Sequence, residues 1–266
     1  MRAGQSLASV LGLWTDIVFQ FVADLSNDEK PACGFDTTVP RIYALEPGPG
    51  NVNLLNQLKK KLPKKVQKSL FIEQLAMSNR TGTACMAGST APGTELASLS
   101  GPAGNQGACK AGEWSVKTYS VTEWLNHHRV KHVTYLKIDV EGFDSQVILG
   151  AEGAMRAGII DMLSFEYHKL GLWPQTSLEE MVKIFDSVGY DSYFIGDYQL
   201  YKLGGGCWHS SYEIRTWSNV LAVRRGYEKH NALLRAYHKT SCENQFMEFT
   251  CDRFKVEQRF VNPVWP

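Results

Sequence analysis

Residues 133–139 and 159–166 are two apolar, β-rich runs separated by a segment long enough for one crossover helix. This unit constrains the fold more than any other part of the chain. Strands joined by crossover helices pair in parallel and need cover on both faces. The same alternation begins at residue 41. Residues 41–46 read as a strand. Residues 51–61 read as a helix with Val52, Leu54, Leu55 and Leu58 on one side, and 69–76 is a second strand candidate. A short strand follows at 115–119, and Thr122 offers an N-cap for a helix to His128. Asp144 opens a helix toward Leu149, with Gly150 and Gly153 punctuating its end. Ser177 caps a helix that Gly189 ends, and 190–195 and 218–224 close the set as strands. The expected fold is α/β, a mostly parallel sheet flanked by helices.

The organisation is uneven. Residues 79–112 are rich in Gly, Ser, Thr and Ala, with Pro92 and Pro102, and read as a weakly structured insertion or a loose hairpin. One domain is expected over 1–226, followed by a helical or irregular extension over 227–266 with a helix at 228–239. Hydrophobic residues make up 44% and charged residues 21%, enough for a full core. The net charge of +1 gives no electrostatic case for nucleic acid or an anionic membrane. The basic run from Lys59 to Lys68 reads as a solvated helix end. No apolar stretch reaches the roughly 18 residues that a membrane span needs. The stretch at 10–22 is broken by Thr15, Asp16 and Gln20, so no signal peptide is expected. None of the six cysteines is spaced as CxxC, so no metal site is expected. Cys85 with Cys109, or Cys242 with Cys251, could form disulfides. Asn79, Arg80 and Thr81 form a glycosylation sequon that has meaning only in a secretory compartment. Compartment and oligomeric state stay open.

In a sheet of this kind ligands bind beyond the carboxyl ends of the strands, so residues at strand ends matter most. Glu46 closes one strand and is followed by a Pro/Gly turn; an acid there can accept hydrogen bonds from ribose hydroxyls. Asp139 closes the central strand with Glu141 two positions on. That pair could hold a metal, position a hydroxyl or take its proton. Glu166 closes the next strand, and His168 after it is the best-placed histidine for general-base work. Trp208, His209, Tyr212 and Trp217 could line an acceptor cleft, although a half-buried aromatic hairpin is the better reading of that segment.

Four segments, YALEPGPGN at 43–51, LAMSNRTG at 75–82, LKIDVEGFD at 136–144 and SFEYH at 164–168, resemble the FkbM family of methyltransferases in order and spacing. The resemblance covers about residues 10–225 and implies a Rossmann-like class I methyltransferase sheet. It implies S-adenosylmethionine as methyl donor and a hydroxyl oxygen on a small-molecule or glycan acceptor. Carried over by position, Glu46 matches the acid that holds the ribose. Ala76, Met77 and Ser78 match the segment beside the adenine, and Asp139 and Glu141 match the acidic pair facing the methyl-transfer site. The family's Asp-x-Gly-x-Asn-x-Gly loop aligns with Ser6, Ala8, Val10 and Gly12, of which Gly12 alone agrees with the pattern and is carried over as cofactor-binding. Only five residues precede Ser6, so the first strand is expected to be truncated or degraded. Two readings follow: an S-adenosylmethionine-dependent O-methyltransferase, or a catalytically impaired domain that serves as a binding module. A nicotinamide-dependent oxidoreductase would need a G-x-G-x-x-G turn, which this sequence lacks.

Overall fold

The computed structural model describes residues 20–24, 41–94, 97–100, 108–196 and 199–227, and the structural statements below concern those residues. In chain order the strands are β1 (Gln20–Asp24), β2 (Arg41–Leu45), β3 (Leu70–Glu73), β4 (Ala76–Ser78), β5 (Gly82–Ala87), β6 (Ser98–Leu99), β7 (Trp114–Ser120), β8 (Val133–Lys137), β9 (Ile160–His168), β10 (Tyr190–Ile195), β11 (Leu200–Lys202) and β12 (Thr216–Arg224). The helices are α1 (Pro49–Lys61), α2 (Lys64–Ser69), α3 (Val121–His127), α4 (Asp144–Arg156) and α5 (Leu178–Ser187). Eight strands form one sheet in the order β11-β10-β12-β9-β8-β1-β2-β3, and four form a smaller one in the order β4-β7-β5-β6.

The large sheet is mixed, which corrects the expectation of a mostly parallel one. β2 with β3 and β8 with β9 are parallel, whereas β1 is antiparallel to both of its neighbours. β12 runs antiparallel between β9 and β10, and β11 runs antiparallel to β10. It follows that β3, β2, β8, β9 and β10 point one way and share a carboxyl edge. The central place between β2 and β8, where a degraded strand was expected, is filled by β1. A gap there would strand the inner N–H and C=O groups of both neighbours. β1 supplies partners while reversed in direction, pairing Gln20 with Leu45 and Phe21 with Lys137. Its first residue therefore lies at the shared carboxyl edge. The segment read as the degraded glycine loop, Gly12 included, and the helix expected at 228–239 lie outside the described residues.

Period-2 alternation distributes the core. Tyr43 and Leu45 of β2 join the main cluster with Trp124, Leu136 and Phe165, while Ile42 and Ala44 face the other way onto Leu55 of α1 and Leu70. Ser177 caps α5 with a full capping box to Glu180. The cap of α3 is Ser120, whose Oγ accepts from the Glu123 amide at 3.2 Å, and not Thr122. Thr122 instead ties α3 to α4, donating to the Gly150 carbonyl at 2.8 Å and accepting from the Ala154 amide at 3.1 Å.

Helix α4 runs through Gly150 and Gly153 to Arg156, well past the expected end. These glycines serve close packing rather than termination. A Cβ at Gly150 would lie 2.1 Å from the Ser78 carbonyl oxygen, and one at Gly153 would lie 2.9 Å from the Thr122 side chain. The single expected strand at 69–76 is also two strands, β3 in the large sheet and β4 in the small one. Helix propensity alone would favour Gly150→Ala by up to about 1 kcal/mol. Overpacking against rigid backbone costs about 1–3 kcal/mol, so this variant is expected to unfold at a lower temperature than the parent. A raised melting temperature in a thermal scan would contradict the packing described.

Candidate active site

A cleft of about 510 Å³, mouth included, opens beyond the carboxyl ends of β2 and β8, where the large sheet meets the small one. Glu46, Asp139 and Glu141 line it together with Ala76 and Met77, so five of the residues expected from sequence converge on one hollow. Its apolar wall comes from Met77, Met86, Leu99 and Phe143.

The Pro/Gly turn after Glu46 shapes one side. The Glu46 Oε1 accepts from the Gly48 amide at 2.6 Å, and the Asn51 side chain also bonds this carboxylate. Glu46 is only 4% exposed, and burial pushes its pKa up to about 7 against the opposing effect of those two bonds. A carboxylate has about four acceptor positions, so capacity for further donors is left on the cleft side.

The residues between β5 and β7 supply the roof. They were expected to be a weakly structured insertion or a loose hairpin, and the hairpin is what forms: β5 pairs antiparallel with β7 across five positions, and a disulfide joins Cys85 to Cys109. Met86, Thr94, Ala97 and Leu99 reach the cleft from this segment. Asn51, in the first turn of α1, latches it down. Its Oδ1 accepts from the Gly93 amide at 2.8 Å, and its Nδ2 donates to the Thr94 carbonyl at 3.0 Å. Gly50 allows the approach, because a Cβ there would lie 2.3 Å from the Thr90 carbonyl oxygen.

The other side is electrostatic. Lys137, at the end of β8, contacts Asp139 at 3.0 Å and Glu166 at 4.0 Å. Burial works to lower the Lys137 pKa, but Asp139 and Glu166 outweigh it and hold the amine above its ordinary value, so it stays a cation. Glu166 is raised by burial and then by Asp139. Asp144 is fully buried at the start of α4, where it accepts from the Gly142 amide at 3.2 Å and the Glu166 amide at 3.4 Å. Burial, then Asp139, pushes its pKa up to about 7. The loop bearing Glu141 is locked from beneath. Gly142, at φ +87°, has the Leu170 carbonyl oxygen 2.5 Å from where a Cβ would sit, and its own carbonyl accepts from the Leu172 amide at 2.9 Å.

Two expected residues sit elsewhere. Ser78 ends β4 with its carbonyl against Gly150 and does not line the cleft. His168 is 1% exposed, and its Nδ1 accepts from the Leu170 amide at 3.1 Å. Burial lowers its pKa despite the nearby Asp139. With Nδ1 so engaged, the neutral ring carries its proton on Nε2. Of the four aromatics near the last hairpin, Tyr212 is buried and Trp208 packs on it, while Trp217 is 47% exposed. Gly12 falls outside the described residues.

Residues 25–192 match the family model described as Methyltransferase FkbM domain. The chain belongs to this family. The match spans well over half of the 266 residues and includes β2, β8, β9 and every cleft-lining residue named above. No match emerges among curated proteins or among solved structures. An FkbM chain is therefore a methyltransferase by family, with its strand-end acids gathered around one cleft.

Sequence reasoning missed Asn51, Lys137 and Asp144, and it missed the wall residues Met86, Leu99 and Phe143. The period-2 spacing of apolar Ala84 and Met86 was a usable signal for Met86, which the structure buries. Two acids with raised pKa values give a pH dependence of stability. The fold favours their neutral forms, so this contribution is complete below their unfolded values of 4.5 and 3.8 and is lost as pH rises through about 7. The urea midpoint is expected to fall between pH 5.5 and pH 8, and Glu46→Gln is expected to shrink that difference. A midpoint that rises over this window would contradict the burial of both groups.

Proposed function

We propose that the chain is an S-adenosylmethionine-dependent O-methyltransferase acting on a hydroxyl of a small-molecule or glycan acceptor. The observation that carries this reading is the convergence of Glu46 and Asp139 on one cleft with an apolar wall. The residues present fit the donor. The buried Glu46 carboxylate has acceptor capacity for ribose hydroxyls, and Met77, Met86, Leu99 and Phe143 offer apolar surface for a flat heterocycle. When bound, S-adenosylmethionine supplies an electrophilic methyl group on a positively charged sulfur.

The protein's own part is to bind, orient and accept a proton. Glu46 and Asn51 position the nucleoside end and keep the roof closed over it. Asp139 accepts the proton that leaves the acceptor hydroxyl, while Lys137 holds that carboxylate at the cleft wall. Glu141 adds negative charge that suits a cationic sulfur. His168 takes no part as a base in this reading, because its Nδ1 lone pair is used by the Leu170 amide. Most of the acceleration comes from holding two reactants in attack geometry.

Transfer of label from methyl-labelled donor tests this reading. Glu46→Gln is expected to raise the donor KM at least tenfold with a small change in kcat. Asp139→Asn is expected to lower kcat by a factor of about 100 or more with donor binding retained. Unchanged kinetics in both variants would refute the assignment.

A further inference from the structure

We propose that the exposed face of Trp217, with the Glu166 carboxylate at its edge and Asp139 between it and the donor cleft, is the seat of the methyl acceptor, and that it takes a neutral carbohydrate ring. The proposal rests on the methyl-transfer reading and adds a binding surface to it. Trp217 lies beyond the residues that match the family model.

The ring is placed by an irregularity in the sheet. Thr216 pairs with His168 and Ser218 pairs with Tyr167, so Trp217 is the extra residue of a bulge between β12 and β9. Bulges of this kind re-aim a side chain, and they are over-represented beside active sites. Its φ of +91° is one that residues with a side chain rarely adopt. Strain of this sort persists only where the surroundings impose it, and it clusters at ligand sites. The indole stacks on His168 with centroids 4.4 Å apart and planes 18° from parallel. Buried His168, pinned by the Leu170 amide, is a fixed base for that stack. The Trp217 side chain also bonds the Glu166 carboxylate. The indole is thus held on one face and along one edge, while 47% of the residue stays open. Such preorganisation lowers the entropy lost when a ligand binds.

The chemistry around the ring selects its occupant. A sugar ring presents a face of C–H groups, which packs on an aromatic surface, and a rim of hydroxyls, which donate to carboxylates. Glu166 and Asp139 supply those acceptors with Lys137 between them. Two carboxylates around one cation leave a negative balance that disfavours a phosphorylated or acidic acceptor. Asp139 joins the two halves. It lines the donor cleft and stands close enough to His168 and Glu166 to act on both electrostatically. A hydroxyl on a ring seated at Trp217 then faces the same carboxylate that takes its proton.

Saturation-transfer NMR on the whole chain tests this with a panel of neutral methyl glycosides and their phosphate esters, in the absence of donor. Calorimetry with S-adenosylhomocysteine runs alongside. The parent and Trp217→Phe are expected to bind at least one neutral glycoside and to bind it more tightly than its phosphate ester. Trp217→Ala is expected to lose at least tenfold in glycoside affinity with S-adenosylhomocysteine binding unchanged. Trp217→Gly, which suits the positive φ, is expected to lose the glycoside equally without a fall in melting temperature. No glycoside binding by the parent, equal binding by Trp217→Ala, or preference for the phosphate esters would overturn the proposal. Failure of the parent to bind S-adenosylhomocysteine would instead overturn the methyl-transfer reading.

Discussion

Lys137 between Asp139 and Glu166 is the interaction on which the site depends. Three charged groups crowd the ends of two adjacent parallel strands, all partly withdrawn from water. Without the cation, Asp139, Glu166 and the buried Asp144 behind them would repel one another. With it, Asp139 keeps a fixed position at the cleft wall, and Glu166 keeps its bond to Trp217. The arrangement is possible because β8 and β9 are parallel and in register, Lys137 opposite Ser164, so their ends emerge together. A sheet of alternating direction would have sent one of these carboxylates to the opposite rim.

The second half of the site is built from the small sheet. The carboxyl edge of the large sheet gives acids but little apolar wall. Strands β5 and β6 bring Met86 and Leu99, and the Cys85–Cys109 disulfide and the Asn51 latch close the loop that carries them. Asn51 bonds both the Glu46 carboxylate and the roof backbone, so the group expected to grip the ribose and the cover above it are mechanically one unit. Close backbone contacts at Gly50, Gly142 and Gly150 leave these elements little freedom to shift.

Part of this was legible in the sequence because it is written in short-range pattern. A β-branched, apolar run that ends in an acid, as at Ile138 and Asp139 or at Leu45 and Glu46, states both the strand and the side chain at its rim. The convergence of those acids follows once the strands are parallel. Direction itself is not written in that way: Gln20–Asp24 would read the same in either orientation, and only its pairing shows it reversed between β2 and β8. Asn51 looked like a polar residue on a helix, because its partners in the roof are 42 and 43 positions away. Gly150 read as a helix stop, since the carbonyl that requires it belongs to Ser78 on another sheet. Trp217 was one aromatic among four, and the bulge that exposes it exists only in the register between β9 and β12.

The most direct measurement is a crystal structure of the chain grown with S-adenosylhomocysteine. The expected result is the adenosine portion in the cleft between Met77 and Phe143, with both ribose hydroxyls on Glu46 and the sulfur toward Asp139. A ligand seated on another face, or in the cleft with Glu46 uninvolved, would contradict the shared-cleft account.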